Sequence, residues 1–104
     1  MENQVKLEKV FVCIGAVERD EITDKTDGIE RVGFILDFPA ESLRDIIGRT
    51  VIFNHPDKDA YRKKLQYNFG TSTVEEVKIV ADETYNIITR NTVYTVKSEY
   101  RDLN

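Results

Sequence analysis

The sequence predicts an α+β fold: a mostly antiparallel sheet of about six strands with two short helices, closing in a C-terminal three-stranded meander. Three observations carry this. Residues 71–100 alternate apolar and polar side chains in three runs separated by tight connections, the period of strands with one packed face and one wet face. Val10-Phe11-Val12-Cys13-Ile14 is apolar at every position, as in a central strand covered on both faces. Between them, residues 40–47 and 57–69 carry apolar side chains at helical spacing. The structural alternative is a meander that curls into a partly open, SH3-like barrel.

A chain of 104 residues reads as a single domain, 1–104, able to bury roughly two-thirds of its unfolded surface without metal or disulfide staples. The single cysteine makes no internal disulfide, so a cytoplasmic location is expected. No apolar run approaches the roughly 20 residues of a membrane span. The opening Met1-Glu2-Asn3-Gln4 lacks the basic start of a signal peptide, so no membrane partner is expected. Residues 1–52 carry 7 basic and 11 acidic side chains, whereas 53–104 carry 8 of each. That balance mildly repels phosphate backbones and anionic lipid.

In chain order, Cys13 lies inside the first strand, where a free cysteine behaves as a small buried hydrophobe. Glu18, Asp20, Glu21, Asp24 and Asp27 then crowd a polar connection ending in Asp27-Gly28, a turn signal. Aligning Gly28 with the glycine of a calcium loop places Thr23, Lys25 and Asp27 at the ligand positions. A lysine there rules the motif out. The second strand, 29–38, puts Val32, Phe34, Leu36 and Phe38 on one face and stops at Pro39. In the first helix, 40–47, Leu43, Ile46 and Ile47 share a face, Glu41 sits near the N-terminus and Gly48 follows as the C′ residue. Residues 49–53 read as a third strand, and Phe34, Phe38, Leu43, Ile46 and Ile52 are the expected core of this half.

Asn54-His55-Pro56-Asp57-Lys58 opens the second helix. His55-Pro56-Asp57-Lys58 is similar to the HPD loop of J-domain co-chaperones, where the tripeptide stimulates the ATPase of the partner chaperone. The likeness spans four residues. That family joins two antiparallel helices at this loop, whereas residues 50–53 here are strand-like. The physical reading of the same residues is a helix start: Pro56 suits the first turn, and Asp57 and Asp59 suit its positive end. His55 is then a turn or capping residue. The helix is expected over 57–69, with Tyr61, Leu65 and Phe69 on one stripe, Asp59 and Lys63 as an i,i+4 pair, and Gly70 as its stop. In the meander, Val74 and Val77 are three apart, which predicts a bulge at Glu75-Glu76. The face of Thr92, Tyr94 and Val96 is expected opposite Thr89, Ile87 and Tyr85.

No catalytic, cofactor-binding or metal-binding set emerges. The glycines are isolated, so no phosphate cradle is written in the chain. One histidine and one cysteine fall short of a zinc site. His55 combined with Ser42, Ser72, Ser98 or Cys13 is an inventory without geometry. The expectation is therefore a non-enzymatic protein-interaction or assembly module, binding a protein partner or itself as a homodimer through a sheet edge. The segment 86–97, which carries few charges, is the expected edge. Tyr61, Tyr67, Tyr85, Tyr94 and Tyr100 are the candidate contact residues, because tyrosine gives large contact area with a polar tip. The first rival is weak nucleic-acid binding through Arg62, Lys63 and Lys64 beside tyrosine rings. The second is a small enzyme using carboxylates or His55.

Overall fold

The computed structural model describes residues 7–20, 31–57 and 59–102. Their strands are β1 (Leu7–Glu18), β2 (Ile35–Leu36), β3 (Ile52–Asn54), β4 (Asn68–Gly70), β5 (Val74–Ala81), β6 (Thr84–Thr89) and β7 (Thr92–Asp102). They form one open antiparallel sheet in the order β4-β3-β2-β1-β7-β6-β5. The sheet thus has seven described strands in place of about six and, among the described elements, one short helix in place of two. Its approach to closure comes at the start of β5, where Gly48 N–H donates to Val74 O and Val74 N–H donates to Arg49 O, each at 2.8 Å.

β1 is the central strand, fourth in the order between β2 and β7. It pairs with β2 through Val12 and Ile35, and with β7 over its whole length. The ladder to β7 shifts register between Cys13 and Gly15. That bulge reverses the facing of later residues, so Phe11, Cys13 and Ala16 all join one core while Ile14 is turned outward.

After β1 the second strand is much shorter than the predicted 29–38. Gly33 adopts φ +95° and Phe34 N–H donates to Arg31 O at 3.1 Å. The chain therefore turns before it extends, and Val32 is exposed while Phe34 and Leu36 are buried. The Asp27-Gly28 turn lies outside the described residues.

The expected first helix is a 3-10 helix, Ala40–Ile46, broken by non-helical angles at Ser42. Three residues per turn keeps i and i+3 on one face but drops i+4. Leu43 and Ile46 are accordingly buried and Ile47 is exposed. Arg49 N–H then donates to Ile46 O at 3.0 Å around Gly48. The φ of +89° at Gly48 is what a tight turn of this kind asks of its third residue.

The second predicted helix is not formed. Residues 59–64 make a short turn, and Asn68–Gly70 is β4, which pairs Phe69 with Phe53 in β3. The two rings stack with centroids 5.0 Å apart and an interplanar angle of 8°. Tyr94 lies 5.4 Å from Phe53. In β3, Phe53 is fully buried and Ile52 is 46% exposed, the reverse of the predicted facing. The meander follows the expected register, with Tyr85 opposite Val96 and Ile87 opposite Tyr94. β5 slips between Val74 and Glu76 as the spacing predicts.

Candidate functional site

Two surfaces gather the chemistry-bearing side chains. The first is the outer edge of the meander. The segment 86–97, expected to be the open edge, lies in β6 and β7, each flanked by strands on both sides. β5 is the outermost strand instead. It carries Glu75, Glu76 and Lys78, with Ile79 66% exposed.

The hairpin geometry fixes what this edge offers. Ala81 and Thr84 close a two-residue turn and β5 shifts register between Ile79 and Ala81; along β6, bonded and non-bonded positions alternate from the closing Thr84. Asn86 and Ile88 therefore bond to Lys78 and Glu76, whereas Ile87 and Tyr85 turn their backbone groups toward β7. Their β5 partners, Val77 and Ile79, present N–H and C=O outward. The same alternation points the groups of Val74 outward, and these are the ones taken by Gly48 and Arg49. No strand pairs the outer side of β5 among the described residues.

Behind this edge, a groove of about 290 Å³ runs between the 3-10 helix and the sheet, lined by Lys9, Phe11, Leu43, Val77, Ile79 and Tyr85. Its polar end is organised by Glu83, which has φ +54° in the turn between β5 and β6. The Glu83 carboxylate accepts from the Ser98 hydroxyl and lies 3.1 Å from Lys9 Nζ. Ser98 N–H donates to Glu83 O at 2.9 Å. The Ser98 hydrogen bond, joined by the Lys9 ammonium, holds the Glu83 carboxyl below its ordinary range. The Glu83 carboxylate in turn raises Lys9. The cluster ties the hairpin tip to β7 and β1. Tyr85 packs its ring edge-on to Phe11 at 5.3 Å, and Tyr100 stands exposed beside Lys9.

The second surface is the turn 59–67. Lys64 N–H donates to Tyr61 O at 3.1 Å, and Leu65 N–H reaches back to Ala60 O at 2.9 Å. With Lys64 at φ +57°, these two bonds are the paired closure of a Schellman motif. Asp57 steadies the entry: its carboxylate accepts from Asp59 N–H at 2.9 Å and from Lys63 Nζ at 2.7 Å. Lys63 therefore pairs with Asp57 and not with Asp59, and its ammonium holds the Asp57 carboxyl low. His55 acts as the predicted turn residue, its Nδ1 accepting from Asp57 N–H at 2.9 Å. The Tyr61 and Tyr67 rings meet edge to face at 5.5 Å. With Arg62, Lys64 and Leu65 they line a shallow depression of about 500 Å³.

The five candidate tyrosines thus separate. Tyr61 and Tyr67 share one patch, Tyr85 and Tyr100 flank Lys9, and Tyr94 belongs to the core. Tyr94 Oη accepts from Arg31 Nη1 at 2.7 Å, and the Arg31 guanidinium lies 4.6 Å from the Phe69 ring centre. Cys13 is fully buried and its pKa is raised by desolvation, the setting of an inert thiol. No group of three or more potential metal ligands occurs among the described residues. No described helix is long and apolar enough to cross a membrane. Sequence reasoning missed the β5 edge and the Glu83 cluster. The alternation of Val77 and Ile79 marked a strand but not that it would lie outermost. Comparison with family models, curated proteins and solved structures finds no match to this chain.

Proposed function

We propose that the protein is a small non-catalytic assembly module that pairs with a second copy of itself along β5. The observation that carries this reading is the outward backbone of Val77 and Ile79 on an edge that no described strand pairs. Unpaired edges recruit strands, and the charges of β5 select its own copy as the strand.

Antiparallel pairing about a two-fold axis at Val77 sets Glu76 of each copy opposite Lys78 of the other, twice. Opposite charges across a ladder stabilise by about 0.2–1 kcal/mol per pair. Moving the axis by one residue places Lys78 against itself, which is repulsive. The favoured register spans 75–79 and ends before Val74, whose outer groups are already taken. It also brings Ile79 diagonal to Val77 of the second copy over the groove. A contact of this size is at the weak end of specific interfaces, so dimerisation near the micromolar range is expected.

Sedimentation equilibrium tests it. The wild-type chain should show concentration-dependent dimerisation, Lys78→Glu should be monomeric, and the double swap Glu76→Lys/Lys78→Glu should dimerise again. A wild type that stays monomeric at several hundred micromolar overturns the reading. So does a double swap that fails to recover dimerisation while remaining folded.

A further inference from the structure

Two non-glycine residues among those described hold left-handed backbone angles, Glu83 and Lys64. Such a conformation is costly for an L-residue with a Cβ, and glycine is the ordinary occupant of this Schellman position. At Glu83 the strain is met from inside the molecule, because its side chain bonds Ser98 and Lys9. Lys64 has no such return. Among the described residues its ammonium makes no hydrogen bond or ion pair, and its side chain instead lines the depression between Tyr61 and Tyr67. The Lys64 backbone is held by the Schellman closure itself, through Tyr61 O and Ala60 O, which leaves its side chain free of any structural task in the turn.

We propose that this patch docks an acidic, linear segment of a protein partner through one apolar side chain, with Lys64 and Arg62 receiving the carboxylates that flank it. The rings supply the anchor: Tyr61 is 73% and Tyr67 49% exposed, and Leu65 adds an apolar wall. Both rings are held in place by their edge-to-face contact, and the turn beneath them by the Asp57–Lys63 pair. The pre-set geometry lowers the ordering cost of binding.

Charge decides the class of partner. Lys63 is neutralised by Asp57, so among the described residues lining the depression the cations without an ion pair are Arg62 and Lys64, on a chain of net charge −4. Two phosphate contacts give a single strand a salt slope of only about −1.4, too little to hold nucleic acid against that overall repulsion. Two cations are enough to orient a pair of carboxylates beside an apolar anchor.

The test uses the full chain and fluorescence anisotropy with short peptides, each with glutamates flanking one Leu, Phe or Trp. Glutamine-for-glutamate versions and an oligothymidylate serve as comparisons. Acidic peptides should bind, and the glutamine versions should bind about tenfold more weakly or worse. Tyr61→Ala should weaken binding by about tenfold or more. Lys64→Gly should raise Tm by several degrees while weakening binding about threefold to tenfold, a split that a merely structural lysine would not produce. The proposal fails if no acidic peptide binds, if Lys64→Gly leaves affinity unchanged, or if oligothymidylate binds more tightly than every peptide. Loss of binding in a Tyr61→Ala chain that melts as the wild type does supports the patch. The same loss with a collapsed Tm is set aside in favour of the Lys64→Gly result, which decides.

Discussion

Replacing Phe53 with alanine tests the layering of the core. Phe53 is fully buried, stacked on Phe69 at 5.0 Å and in contact with Tyr94 at 5.4 Å. Truncation removes a whole ring and leaves a cavity that its stacked neighbours fill poorly, a loss of about 3–5 kcal/mol. Against a total stability of about 5–15 kcal/mol for a domain of this size, that is about a fifth or more. Ile52, its neighbour in the chain, is 46% exposed. Full burial of such a side chain is worth about 1.5–3 kcal/mol, so Ile52→Ala should cost about 1 kcal/mol. Urea unfolding of both variants, with midpoints and slopes compared, measures the difference. If Ile52→Ala cost as much as Phe53→Ala, β3 would face the other way and the aromatic core described here would be wrong.

Three further outcomes follow from the geometry. Gly48→Ala should cost about 1–2 kcal/mol by chemical denaturation, because alanine would have to hold the φ of +89°. The cost is backbone alone, since an added Cβ would meet nothing within 4 Å. On acidification, Glu83 and Asp57, both held low, contribute stability that is complete above their unfolded values and is lost as pH falls through the folded ones. Tm should therefore drop between about pH 5 and pH 3, and the drop should be shallower in Glu83→Gln; an equal drop would remove Glu83 from the account. Cys13 should resist thiol reagents in the native chain at mildly alkaline pH, reacting only at the rate of opening, whereas labelling within seconds would contradict its burial.

The meander could be read from the sequence because each of its faces repeats every second residue, and the slip from Val74 to Val77 announced the bulge. β3 could not, because Val51-Ile52-Phe53 is apolar at every position and supplies no parity. Only the stacking of Phe53 on Phe69 settles which side is buried. The second helix failed for a related reason. Tyr61, Leu65 and Phe69 fit a helical stripe, but the Schellman closure at Lys64 ends the turn early and frees Phe69 for β4. Most consequential for function, the pairing of β1 with β7 joins the two ends of the described chain, a contact that local periodicity does not encode. It moves β6 and β7 to the interior and leaves β5 as the edge strand on the meander side, opposite β4. The tyrosine–basic patch was legible as composition, whereas its separation from Tyr85, Tyr94 and Tyr100 was not.

The self-pairing of β5 is tested most directly by mixing two chains that should each be monomeric, Glu76→Lys and Lys78→Glu. In the proposed register every facing charge pair is repulsive within either homodimer and attractive in the mixture. Native mass spectrometry or sedimentation of the equimolar mixture should show a one-to-one heterodimer that neither variant forms alone. Two monomers that ignore each other, at concentrations where the wild type dimerises, would contradict the two-fold axis at Val77 and the assembly role built on it.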